Sequence, residues 1–172
     1  LYQKWYQKKR QMIVRLSKDE VRVCTQLATE RWLAKYGSVD RPNYAEGKKY
    51  GYLEHELLAN VRANVSEWAV ASLTDTAWNV PWYPNELHPR RAKLPDVGTN
   101  FEVRTVRTRD SIPFWNKDNG KILVGTKILD EDYYSQVEVY GYCNPEEYAT
   151  SQYRDETIGG WRVPVTQLKE FK

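Results

Sequence analysis

The 172 residues, 41% hydrophobic and 28% charged, fit one soluble globular domain, and no apolar run approaches the roughly 18 residues that a membrane helix needs. Cys24 and Cys143 show neither CxxC nor Cys/His spacing, which argues against a disulfide scaffold and a structural zinc site and makes a reducing, cytoplasmic compartment the simpler reading. The net charge of +3 is too small to demand a polyanionic partner, although its distribution is polar.

Lys4, Lys8, Lys9, Arg10 and Arg15 stand in residues 1–16 without an acid, so 1–11 read as a basic N-terminal extension and 12–172 as the domain. Leu1 reads as a trimmed or mid-protein start. Met12 to Leu16 alternate as a short strand. Ser17 with Glu20 three residues on is a capping box, opening a helix that runs to about Tyr36 on the stripe Val21, Cys24, Leu27, Ala28, Trp32 and Leu33. Residues 38–49 lack periodicity and read as a loop.

A second helix is expected from about Tyr52 to Ala71, with Leu53, Leu57, Val61, Val65, Trp68 and Ser72 buried. Beside them runs a polar stripe in which Glu56 and Glu67, close to three turns apart, look one way. Four prolines in the stretch from Trp78 through Pro95 predict an ordered irregular loop. Strands follow at Phe101 to Arg107, Ser111 to Trp115, Lys121 to Leu129 and Ser135 to Tyr142. Lys117-Asp118-Asn119-Gly120 reads as a hairpin turn between the second and third of these. Pro145 to Tyr148 suits a short helix and Trp161 to Val165 a last strand.

Chemistry concentrates between Leu94 and Thr105. Gly98-Thr99-Asn100 forms a turn tip, which brings Asp96 and Glu102 near one another across two arms of a hairpin. Period-two geometry sends Glu102 and Arg104 to one face and Phe101 and Val103 to the other. Two neighbouring carboxylates call for a positive charge between them, and a hard cation such as magnesium is the usual answer. The competing arrangement is structural: Glu102 paired with Arg104 or Arg107, and Asp96 capping a turn. From His88 to Arg109 six basic residues accompany these two acids, while Asp130, Glu131, Asp132, Glu138, Glu146, Glu147, Asp155 and Glu156 make the C-terminal third acidic. His55 and His88 have no partner spacing and read as surface or packing residues.

Pro95-Asp96 followed by Glu102-x-Arg104, with Ser66-Glu67-Trp68-Ala69-Val70-Ala71 upstream and Val163-Pro164 late in the chain, resembles the PD-(D/E)XK nuclease-like superfamily, and in particular small phage-encoded proteins of similar layout. The resemblance spans most of residues 12–168. It implies an α/β fold: a single-domain restriction-endonuclease-like core with a mixed central β-sheet and helices packed on it. It also implies a Mg2+- or Mn2+-dependent DNA endonuclease, in which Glu67, Asp96 and Glu102 bind metal and Arg104 takes the place of the catalytic lysine. Arg90, Arg91 and Arg107 would steer the backbone of DNA, expected to be double-stranded, and self-association into a homo-oligomer stays open. An arginine there clamps phosphate but accepts protons poorly, so the alternative is a catalytically degenerate nuclease-like fold that binds DNA or serves as a virion or assembly protein.

Overall fold

Ser17 closes its capping box as the sequence predicts: its N–H donates to Glu20 Oε2 at 2.6 Å, and the Glu20 N–H donates to Ser17 Oγ at 3.3 Å. The computed structural model describes residues 12–35, 53–80 and 94–171. The basic extension 1–11, the loop 38–49, the side chains of His55 and Glu56, and His88, Arg90 and Arg91 lie outside the described residues. Strand β1 (Met12–Arg15) precedes helices α1 (Lys18–Lys35) and α2 (Leu53–Thr74). Strands β2 (Phe101–Val106), β3 (Ser111–Phe114), β4 (Ile122–Ile128), β5 (Gln136–Cys143), β6 (Arg154–Asp155) and β7 (Gly160–Pro164) follow.

The architecture is mixed α/β, with the expected mixed sheet against the helices and a second sheet that was not expected. One four-stranded mixed sheet has the order β1-β5-β4-β2, with β2 parallel to β4 and the other pairs antiparallel. A second, antiparallel sheet has the order β3-β7-β6. The predicted hairpin at 117–120 is therefore corrected: β3 leaves the first sheet and pairs with β7, so Asn119-Gly120 does not join partnered strands. The reason is partly chemical, because Pro113 offers no N–H and suits only an edge strand, which is the place β3 occupies. Asn119 (φ −58°, ψ 139°) and Gly120 (φ +79°) instead form a type II turn, closed by the Lys121 N–H on Asp118 O at 3.1 Å.

Three layers result. Cys24, Ala28, Val61, Val65, Ala69, Val103, Val124 and Val137 fill one core between the helices and the mixed sheet. Ile112, Phe114, Leu123, Val163 and Leu168 fill another between the two sheets. Gly125 permits the second contact, since a Cβ there would stand 2.6 Å from Leu168 Cδ1. Helix α2 is enclosed on adjacent faces by α1 and by the sheet, so Asn64, Val65, Ser66 and Glu67 are buried in succession. Ser72, expected on the buried stripe, is exposed, as is Leu33 at the end of α1. No helix among the described residues is long and apolar enough to cross a membrane.

Candidate active site

Strand β2 is the last strand of the mixed sheet, so one of its edges needs partners other than a neighbouring strand. The preceding segment supplies them. Val97 bridges both Trp78 and Phe101, Gly98 takes φ +58° at the turn, and the Asn79 amide donates to Pro95 O at 2.9 Å and Gly98 O at 2.7 Å. This scaffold delivers Asp96 to the open edge of β2, where Asp96 Oδ2 accepts the Val103 N–H at 2.8 Å. The turn tip was legible in the sequence, and so was the alternation: Val103 enters the helix-side core with Phe101 packed against it, while Glu102 and Arg104 meet one another.

On the helix side of that edge lies Glu67. Its Oε2 accepts the Trp78 indole N–H at 2.8 Å, and its Oε1 is 3.7 Å from Arg31 Nη1. On the side of the second sheet, Glu102 Oε1 accepts from Arg104 Nη1 at 3.1 Å, and Oε2 from Lys121 Nζ at 2.7 Å. Arg104 also donates to Asp118 Oδ1 at 2.8 Å, Pro113 O at 3.3 Å and Val103 O at 3.3 Å. Asp118, fully buried, spends its second oxygen on the Trp115 N–H at 2.9 Å.

The structure thus brings Glu67, Asp96, Glu102 and Arg104 to one strand edge, but it changes the part open to Arg104. With its side chain 15% exposed and its donors committed to two carboxylates and two carbonyls, the guanidinium is a buried counter-ion, not an open phosphate clamp. Lys121, which has no local signature in the sequence, is a cation with donors to spare among the described residues: 20% exposed, it meets one carboxylate, and an ammonium has three N–H bonds. Its place depends on the parallel register Phe101↔Ile122, a long-range fact. Arg31, Trp78 and Asp118 were missed for the same reason. Arg107 stands apart, exposed and 3.5 Å from Glu131.

Among the described residues of this cluster, four carboxylates (Glu67, Asp96, Glu102, Asp118) face three cations (Arg31, Arg104, Lys121). The surplus negative charge has a visible consequence. Burial, and then the charge of Asp96, push the Glu67 carboxyl up to about 8. Burial and the charge of Glu102 also raise Asp96, against the lowering effects of the Val103 N–H and Arg104.

No group of three or more His, Cys, Asp and Glu side chains among the described residues converges as a metal site. Magnesium often takes only one or two carboxylates and completes its shell with water and phosphate. Glu67 and Asp96 suit that pattern: both offer oxygen, both are poorly compensated by cations, and Asp96 Oδ1 accepts no hydrogen bond from the described residues. Glu102 suits it less, because each of its oxygens already meets a cation. Comparison with known proteins found no matching family model, no matching curated protein and no matching solved structure.

Two outcomes follow from this geometry. Arg104→Ala strands the fully buried Asp118 without a cation and leaves Glu102 with Lys121 alone, and should destabilise the fold by about 3–5 kcal/mol in urea denaturation, whereas Lys121→Ala, at a more open position, should cost less than half of that. Glu67 behaves differently, because its native carboxyl keeps a proton that the unfolded chain releases above the ordinary value of 4.5. It should therefore subtract stability as pH rises from about 4.5 to about 8. Glu67→Gln, which keeps an acceptor for Trp78, should match the native protein near pH 4.5 and exceed its stability at pH 9; equal urea midpoints at both pH values would show that Glu67 is not held protonated.

Proposed function

We propose that this chain is a metal-dependent phosphodiesterase that hydrolyses DNA on a restriction-endonuclease-like core of the PD-(D/E)XK kind. The observation that carries the reading is the surplus of buried carboxylate at the edge of β2, next to a lysine that meets one carboxylate among the described residues. An apolar or purely structural site gains nothing from a buried acid whose ionisation is suppressed, whereas perturbed acids gather where function requires them.

In this reading Asp96 and Glu67 hold the cation, with Mg2+ or Mn2+ as the fitting ions. When bound, such a cation stabilises charge on phosphate oxygens and lowers the pKa of a water molecule. The remaining chemistry belongs to the side chains. Glu67 would hold a cation only as the carboxylate, its proton passing to solvent, and the indole N–H of Trp78 keeps its Oε2 aimed. Glu102 holds Lys121 through Oε2, and Lys121 turns its remaining N–H groups toward a non-bridging phosphate oxygen. Arg104 and Asp118 keep Glu102 in place, so Arg104 is a positioning residue. DNA, a cytoplasmic setting and self-association all belong to this proposal.

A second reading has one observation in its favour. Glu102 and Arg104 are satisfied by partners within the fold, as in a structural ion pair. On that reading the chain is a degenerate nuclease-like fold that binds DNA or takes part in particle assembly, and it cuts nothing.

Incubation with supercoiled plasmid separates the two. The native protein should nick the plasmid with Mg2+ or Mn2+ and not in EDTA. Asp96→Asn and Glu67→Gln should fold and lose cleavage, and Lys121→Ala should lose on the order of 10²- to 10³-fold, the scale of one preorganised donor. An intact plasmid with either metal, alongside salt-sensitive DNA binding, would transfer the case to the second reading.

A further inference from the structure

The single turn Asn116–Asp118, which carries Asp118 to Arg104, forms on its outer side one wall of a recess of about 440 Å³ lined by Trp115, Asn116, Lys117 and Gly159. The indole that lines it is preset. Trp115 Nε1 donates to Ile158 O at 3.0 Å, and a Cβ on Gly160 would stand 3.0 Å from both Cδ1 and Nε1, so the ring edge lies against bare backbone. Gly159, next to that carbonyl in the chain, lines the recess too, with nothing within 4 Å of where its Cβ would be. Lys117 Nζ lies 5.6 Å from the centre of the Trp115 ring, within cation–π range, on an exposed side chain. The Asn116 side chain, also exposed, brings an amide donor and acceptor to the rim.

We propose that this recess is a subsite for one unpaired nucleobase next to the bond that is cut, which rests on the phosphodiesterase reading. An indole held by its edge and lining an open recess takes a flat π system of any identity, a cation beside it suits the attached phosphate, and an amide at the rim matches the edge of a base. On binding, Lys117 moves from the ring to the phosphate and leaves the indole face to the base. A base inside a duplex already has both faces stacked, so only an unpaired or flipped base fits. The link to the acid cluster runs through one side chain: Asp118 accepts hydrogen bonds from both the Trp115 N–H and Arg104, and Lys121 follows three residues later. The preferred substrate is then a single strand or a duplex with an unpaired nucleotide, not a fully paired duplex.

The test is fluorescence anisotropy in EDTA, with a labelled oligothymidylate set against an abasic deoxyribose-phosphate strand of equal length, so that charge is constant and only the bases differ. The native protein should bind the oligothymidylate more tightly by roughly 5- to 150-fold, the worth of one base–aromatic stack. Trp115→Ala should erase that preference, and so should Gly159→Asn, which fills the recess with the side chain of a residue that tolerates the positive φ of 61°. Lys117→Ala should weaken both strands alike and flatten the salt dependence by about one phosphate contact. Should Trp115→Ala fail to fold, Gly159→Asn decides. If both variants keep the native preference, or the native protein has none, the subsite is overturned. Plasmid cleavage with Mn2+ run in parallel keeps the two proposals apart: cleavage without base preference overturns the subsite alone, base preference without cleavage leaves the subsite and removes the nuclease, and neither activity removes both.

Discussion

A guanidinium enclosed between two carboxylates organises this molecule. Arg104 leaves β2, meets Glu102 on its own strand and Asp118 on the turn beyond β3, and touches the Pro113 carbonyl within β3. Desolvating such a group is expensive, and the neighbouring charges of Asp118, Glu102 and Asp96 outweigh that cost enough to hold it firmly protonated. Because its partners come from both sheets, the pairing fixes how the second sheet sits against the first. Because Glu102 is one of those partners, the same pairing aims the carboxylate that receives Lys121.

Against this satisfied half stands an unsatisfied one. Glu67 lies deep because α2 is enclosed by α1 on one flank and the mixed sheet on the other, a position in which a glutamate is almost withdrawn from solvent and meets Arg31 at 3.7 Å. Trp78 donates a hydrogen bond to it. The Trp68 ring meets Trp78 edge-on at 5.4 Å between centres, which braces the indole that holds Glu67. A chain in need of stability alone would place an apolar residue here; a buried acid that must choose between a proton and a cation makes sense where a cation is wanted.

Much of this was legible in the sequence because it is local. The capping box at Ser17, the turn glycine at Gly98, the alternation of Phe101 to Arg104 and the strand positions each follow from a few adjacent residues. What escaped was pairing. Asn119-Gly120 is a true turn, but whether the flanking strands partner each other depends on β7, some forty residues on, and on the missing N–H of Pro113. Likewise Lys121 looks like an ordinary strand-initial lysine until the parallel register of β2 with β4 sets it beside Glu102. The burial of Glu67 was hidden because a single amphipathic stripe suggests one buried face, whereas α2 has two.

The central claim is that Glu67 and Asp96 exchange a proton for a divalent cation. Calorimetric titration of Mn2+ into the native protein, in buffers of differing ionisation enthalpy, reads that exchange directly, because metal binding that displaces a proton releases it to the buffer. The account predicts one binding event that releases close to one proton at pH 6.5, releases almost none at pH 9.5, and is lost in Asp96→Asn. Binding that releases no proton at pH 6.5, or no binding at millimolar Mn2+, would contradict it.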